Sequence, residues 1–197
     1  GNDYYVDMIE LSAEEREEAV KKAKQHTLNF LYFIQHELGL NTLSLADDEF
    51  PTDDLMPLMP YHRESRRIDG EVRFKLNHIV SPYDYTLYRT AIGVGDYPVD
   101  QHHTRYTGWE ALPNLYFHSI PSYGLPMGTL LPKEVDGLIV AEKSISVSNI
   151  VNGSTRLQPV VVQIGEAAGI IAALATKQGI EPREVAVRDV QREVLAA

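Results

Sequence analysis

The sequence contains no cysteine. That rules out disulfides and thiolate metal centres and leaves the compartment unspecified. It contains no G-x-G-x-x-G, so no dinucleotide-binding turn opens anywhere along it. Positive charge is in short supply: 18 Lys and Arg face 28 Asp and Glu, for a net charge of −10. Such a balance argues against nucleic acid and against anionic membrane surfaces as partners. The longest apolar run, Ala167 to Ala175, is too short to cross a bilayer. Signal peptide, internal repeat and low-complexity tract are likewise missing, and no serine sits in anything like a nucleophile elbow.

What is present reads as a mixture of helices and short strands, an α+β pattern. Ser12-Ala13-Glu14-Glu15 is a capping box and predicts a helix over 12–38. Its apolar positions are Ala19, Ala23, Phe30, Ile34 and Leu38, its solvent side carries Glu17/Lys21 and Glu18/Lys22, and Gly39 closes it. A packing role is expected for this helix. The acidic tract from Asp47 to Asp54 reads as a solvated loop. Alternation at Val72, Phe74 and Leu76, the run Thr90–Val94, the stretch Tyr116–Ile120 and the run Leu138–Ala141 read as strands. A long helix follows, from Ser154 or Pro159 to Lys177, with Gly179 behind it, and Pro182 opens another toward Leu195. The long helix is apolar almost all round, with Gly165, Gly169, Ala168, Ala172 and Ala173 toward one side and Val161, Ile164, Ile171 and Leu174 toward the other. Burial on both sides is expected.

Three constellations could carry chemistry. The stretch Asn152 to Pro159 leads into a helix N-terminus, where unpaired N–H groups and the helix dipole suit an anionic or electron-rich group. Arg156 adds a full charge there, while a cap at Ser154 or Thr155 predicts that folding does not depend on Arg156. Tyr61 to Gly70 concentrates His62, Arg63, Glu64, Arg66 and Arg67. In an extended chain His62, Glu64 and Arg66 share one side, and Arg63, Ser65 and Arg67 share the other. Asp96 to His103 offers two aspartates and two histidines, but adjacent histidines diverge and no zinc-type spacing occurs, so no metal is expected.

Four segments in order, YHRESRRIDG, AIGVGDYPVDQHH, LPMGTLLPKEVDGLIVAEKSIS and STRLQPVVVQIGEAAGIIAALA, resemble the C-terminal region of FAD-dependent oxidoreductases related to glutathione-reductase-type flavoproteins. The resemblance implies a partial FAD/NAD(P)-binding-type flavoprotein fold. Residues 1–131 would be substrate-domain portion, with the long helix and mixed or antiparallel strands. Residues 132–197 would supply the last strand and helices of the FAD domain. The N-terminal Rossmann unit would lie outside this chain and be its first partner. FAD would be bound by the full-length protein and not by this fragment alone. Cofactor contacts would come from Ala141, Glu142, Ser144, Ser146, Ser154, Thr155, Arg156, Leu157, Gln158 and Val160. His62, Arg63, Glu64, Arg66 and Arg67 would stand near the domain junction as catalytic candidates. Where the family carries glycine after its final strand, this chain has Glu142-Lys143.

The implied activity is hydride transfer through the flavin to or from a small-molecule substrate, with carbohydrate among the options. A polysaccharide lyase (some relatives from polysaccharide-degrading bacteria carry a xanthan-lyase label) or a carbohydrate-binding module is a second class. A degenerate member kept as a structural domain is a third. Self-association of the fragment through the long helix is expected.

Overall fold

The computed structural model describes residues 4, 6, 8–63, 65–100 and 118–196. The chain divides into two compact units, 1–62 and 63–197. The boundary expected at 131/132 falls inside the second unit, where the Gly70–Pro132 and Phe74–Val147 bridges tie its two sides together.

The first unit is built on α1 (Ala13–His36). Its capping box forms as predicted: the Glu15 N–H donates to Ser12 Oγ (3.2 Å) and the Ser12 N–H to Glu15 Oε2 (2.8 Å). Gly39, at φ +71°, turns the chain out of the helix, while the Leu38 and Leu40 N–H groups close on Phe33 and Ile34 oxygens, both at 3.2 Å. The acidic tract stays a loop, with Lys24 paired to Asp54. The packing role expected for α1 is not seen: no residue of this helix is buried. Phe30 and Leu38 are 42% and 56% exposed, and Leu28, Tyr32 and Phe33 are exposed beside them.

The second unit holds α2 (Leu76–Val80), β1 (Ala91–Gly95), β2 (Tyr123–Pro126), α3 (Asn149–Thr155), α4 (Gln158–Gln178) and α5 (Val187–Ala196). β1 and β2 pair antiparallel, Gly95 opposite Tyr123 and Val94 opposite Gly124, with an irregular register between Ala91 and Val94. The free edge of β1 is satisfied by side-chain amides. Gln163 of α4 accepts from the Val94 N–H (2.8 Å) and donates to the Val94 carbonyl (3.1 Å). Gln191 of α5 donates to the Arg89 and Ala91 carbonyls at 3.0 and 2.9 Å. A strand edge left bare would strand these backbone groups. Under this frame lies a core of Phe74, Ile79, Ile92, Tyr123, Leu125, Ile145, Ile164 and Ile171.

Two expected strands are absent from the ladder. Phe74 makes a single parallel bridge with Val147, and Leu76 already begins α2. Among the described residues Leu138–Ala141 has no strand partner, and the Val140 N–H donates to the Leu130 carbonyl (2.9 Å). Apolar residues alone do not make a strand when no neighbour offers a matching edge. Tyr116 and Phe117 lie outside the described residues, and His118 bridges Val99.

α4 ends at Gly179 with φ +66°, as its sequence predicts. Burial on both sides does not occur. Val160, Ile164, Ala167, Ile171 and Ala175 are buried, whereas Gly165, Gly169, Ala172 and Ala173 are exposed. At 21 residues and mean hydropathy 1.6, α4 is long and apolar enough to cross a membrane by length and composition. The short run seen in the sequence had missed this, because the turns before Ala167 extend the apolar helix. Its buried residues recur at i, i+4 and i+7 and face the β1 side of the core, the pattern of a packing helix.

Candidate functional site at the junction of α3 and α4

The residues expected to start α4 belong to a helix of their own. Ser148 caps α3, its Oγ accepting from the Val151 N–H (3.4 Å). Ser154 and Thr155 lie in the last turn of α3 and are buried, so they are not the cap of α4. Ser154 Oγ donates to the Tyr97 carbonyl (2.6 Å). The Tyr123 hydroxyl, 2.8 Å away, therefore donates to Ser154. Burial, opposed by the bond to Ser154 and aided by Asp96, pushes the Tyr123 phenol up to about 12. It is neutral and fixed throughout the physiological range. Gly95 makes room for it: a Cβ there would stand 2.5 Å from the Tyr123 hydroxyl. Thr155 Oγ1 turns back onto the Val151 carbonyl (3.3 Å).

Arg156 follows, and it is buried. One of its terminal nitrogens binds Asp100 Oδ2 at 2.9 Å and the Asp100 carbonyl at 3.3 Å, with the two side chains 7% and 11% exposed. Its charge is matched by Asp100, and a buried ion pair of this kind ties the residue to folding. Leu157 occupies the N-cap of α4 and offers no side-chain acceptor, and Pro159 stands in the first turn. Helix geometry leaves the N–H groups of Gln158 and Val160 without intrahelical partners. Gln158 is exposed, Leu157 half-buried, and Val160 belongs to the core.

The arginine-rich segment runs alongside. The Arg63 carbonyl accepts from Asn152 Nδ2 of α3 (3.5 Å), and the Ile68 N–H donates to the Ser144 carbonyl (3.0 Å). Arg63 and Arg67 are half-buried and Arg66 is exposed. His62 closes the first unit, and Glu64 lies outside the described residues, as do His102 and His103. Two buried polar side-chain atoms have no partner among the described residues, Ser146 Oγ before α3 and Asn152 Oδ1 within it. Buried polar atoms are nearly always satisfied in a complete structure. Among the described residues no three His, Asp or Glu side chains gather as metal ligands. Asn152, Tyr123 and Tyr97 carry no individual signal in the sequence, and Asp100 stands out there only as a neighbour of the histidines.

Ala141 is half-buried and leads into a tight turn over Glu142–Ser144. Glu142 has φ +61° and an exposed side chain. This is the left-handed region, which costs a non-glycine residue about 1–2 kcal/mol. Glycine loses some of that gain through its freedom in the unfolded chain. Glu142→Gly is therefore expected to stabilise the chain by about 0.5–1 kcal/mol. A denaturation midpoint that falls would show that the carboxylate makes a compensating contact.

A family model described as FAD dependent oxidoreductase matches residues 1–194. The chain belongs to that family. No curated protein and no solved structure matches it. Members of the family are FAD-dependent oxidoreductases. The α+β architecture of this family member combines helices with one two-stranded antiparallel sheet among its described residues.

Proposed function

We propose that this member is the C-terminal portion of a glutathione-reductase-type flavoenzyme, acting with an N-terminal FAD-binding unit on a small-molecule substrate. The observation that carries the reading is the outer face of α4. At Gly165 and Gly169 no atom beyond the chain neighbours and the helix's own nearby backbone lies within 4 Å of where a Cβ would stand. Glycines in an exposed helix cost about 1 kcal/mol each relative to alanine, a cost that makes sense when another backbone must press against them.

The residues present fit the ring end of FAD. Leu157, Gln158 and Val160 would hold its electron-rich edge at the uncapped start of α4, and Ser146 and Asn152 carry unpartnered polar atoms that a bound group could meet. Flavin, when bound, supplies a two-electron acceptor for hydride from substrate. The chain's part is to orient that ring, exclude water with the α3–α4 corner and set the local charge. Asp100 offsets Arg156, so the helix dipole is the net positive element at this corner. Arg63, Arg66 and Arg67 would stand on the substrate side. The phosphate end is not matched: Glu142 puts an exposed carboxylate on the turn where phosphates would call for neutral backbone. That one observation favours a second reading, a member retained for structure that holds FAD weakly or not at all.

The test uses both the chain and the complete polypeptide. Gly169→Ala in this chain should raise stability by about 1 kcal/mol, since the added methyl meets nothing. Gly165→Leu with Gly169→Leu in the complete polypeptide should abolish co-purifying flavin absorbance and leave α4 folded. Wild-type flavin content and turnover in that double variant would sink the proposal.

A further inference from the structure

The short helix α2 has an unusual start. Its N-cap, Lys75, has no side-chain oxygen to offer, and none caps the helix. Instead the Lys75 N–H donates to His78 Nδ1 (3.1 Å), and the His78 N–H returns to the Lys75 carbonyl (2.9 Å). The imidazole lies stacked on Phe74, centroids 5.6 Å apart at 28°, and meets the Tyr85 ring edge-on at 4.9 Å and 74°. Phe74 is itself a hub. Its N–H donates to the Ser146 carbonyl (3.0 Å) and its carbonyl accepts from the Ser148 N–H (2.9 Å), next to the cap of α3.

An Nδ1 that accepts from a backbone N–H belongs to a neutral ring with its proton on Nε2. Protonation would place a donor against a donor. We propose that His78 is a proton-operated latch: neutral, it closes the first turn of α2; protonated, it releases that turn.

The surroundings set the direction. Burial, and then the charge of Lys75, push the His78 imidazole below its ordinary value. Tyr85 lies in front of the imidazole and Tyr123 behind Phe74, and Asp84 has its N–H turned to the Ser81 carbonyl (3.2 Å). α3, which packs against α2, carries no titratable side chain. A histidine whose folded value is depressed contributes stability that is fully present above about pH 6.5, the unfolded value, and is lost as pH falls through the folded one. The latch therefore opens on the acid side.

The experiment is amide hydrogen exchange on this chain at about pH 7.5 and about pH 5, expressed as protection factors, together with an NMR titration of His78. The expected result is a several-fold loss of protection at Lys75 through Val80 in acid, with α4 amides unchanged. The Lys75 amide shift should move with the same midpoint as the His78 ring. His78→Gln, which keeps an acceptor but does not titrate, should show no acid step. Equal protection at both pH values, separate midpoints for His78 and the Lys75 amide, or an acid step that survives in His78→Gln would each overturn the proposal.

Discussion

Replacing Arg156 by alanine is expected to cost this chain about 3–5 kcal/mol, read as a shift in a urea denaturation curve. The cause is the partner left behind. Asp100 keeps its place with a side chain only 11% exposed but loses the guanidinium 2.9 Å away, so the desolvation cost of its carboxylate is less well offset. Changing both residues, Arg156→Met with Asp100→Asn, removes the charge and its counter-charge together. That double variant should recover most of the loss, because replacing a buried pair by neutral side chains is commonly near neutral. If the single substitution shifted stability by less than about 0.5 kcal/mol, as an ordinary surface change does, the pair would have no structural weight. Arg156 would then again be open to a direct role at the ligand.

Gly70→Ala should be nearly as damaging, by about 2–3 kcal/mol. A Cβ at Gly70 would lie 2.7 Å from Ser146 Cβ, 3.0 Å from the Gly128 carbonyl and 3.1 Å from that of Leu131. Two of these three atoms are backbone, held by neighbouring bonds: the Val72 N–H reaches the Gly128 carbonyl at 3.1 Å and the Glu71 N–H the Leu131 carbonyl at 2.9 Å. No flexible side-chain end is available to swing aside. Thermal melts of the variant and parent decide it, and a melting temperature unchanged within error would mean that the 70–74 segment can slide off Ser146 without cost.

The pieces legible in the sequence were those with local punctuation. α1 announces itself through Ser12 and Glu15, α4 through Pro159 and Gly179, and β1 through its β-prone run ended by Gly95-Asp96. The strands expected at 72–76 and 138–141 do not form because their apolar residues serve the core through one bridge at Phe74 and one backbone bond at Val140, not through a ladder. The candidate site was legible as a region and not as an arrangement. Arg156 meets Asp100 across 56 positions and Asn152 meets Arg63 across 89, distances over which a single sequence carries no pairing signal. That Ser154 and Thr155 end one helix rather than begin the next was also hidden, since a Ser-Thr pair before a Pro-containing helical run looks like a cap in either case.

The two bonds between Gln163 and Val94 work like a keyway between a shaft and its housing. A helix resting on a sheet through apolar side chains alone can roll about its own axis by a fraction of a turn at little cost. Here a roll would pull one amide off two backbone groups at once. The angular setting of α4 is thus locked to β1, and the direction in which Gly165 and Gly169 point is decided before any second surface arrives. A surface that fits them meets a bearing already aligned, so less freedom is surrendered when the two close together.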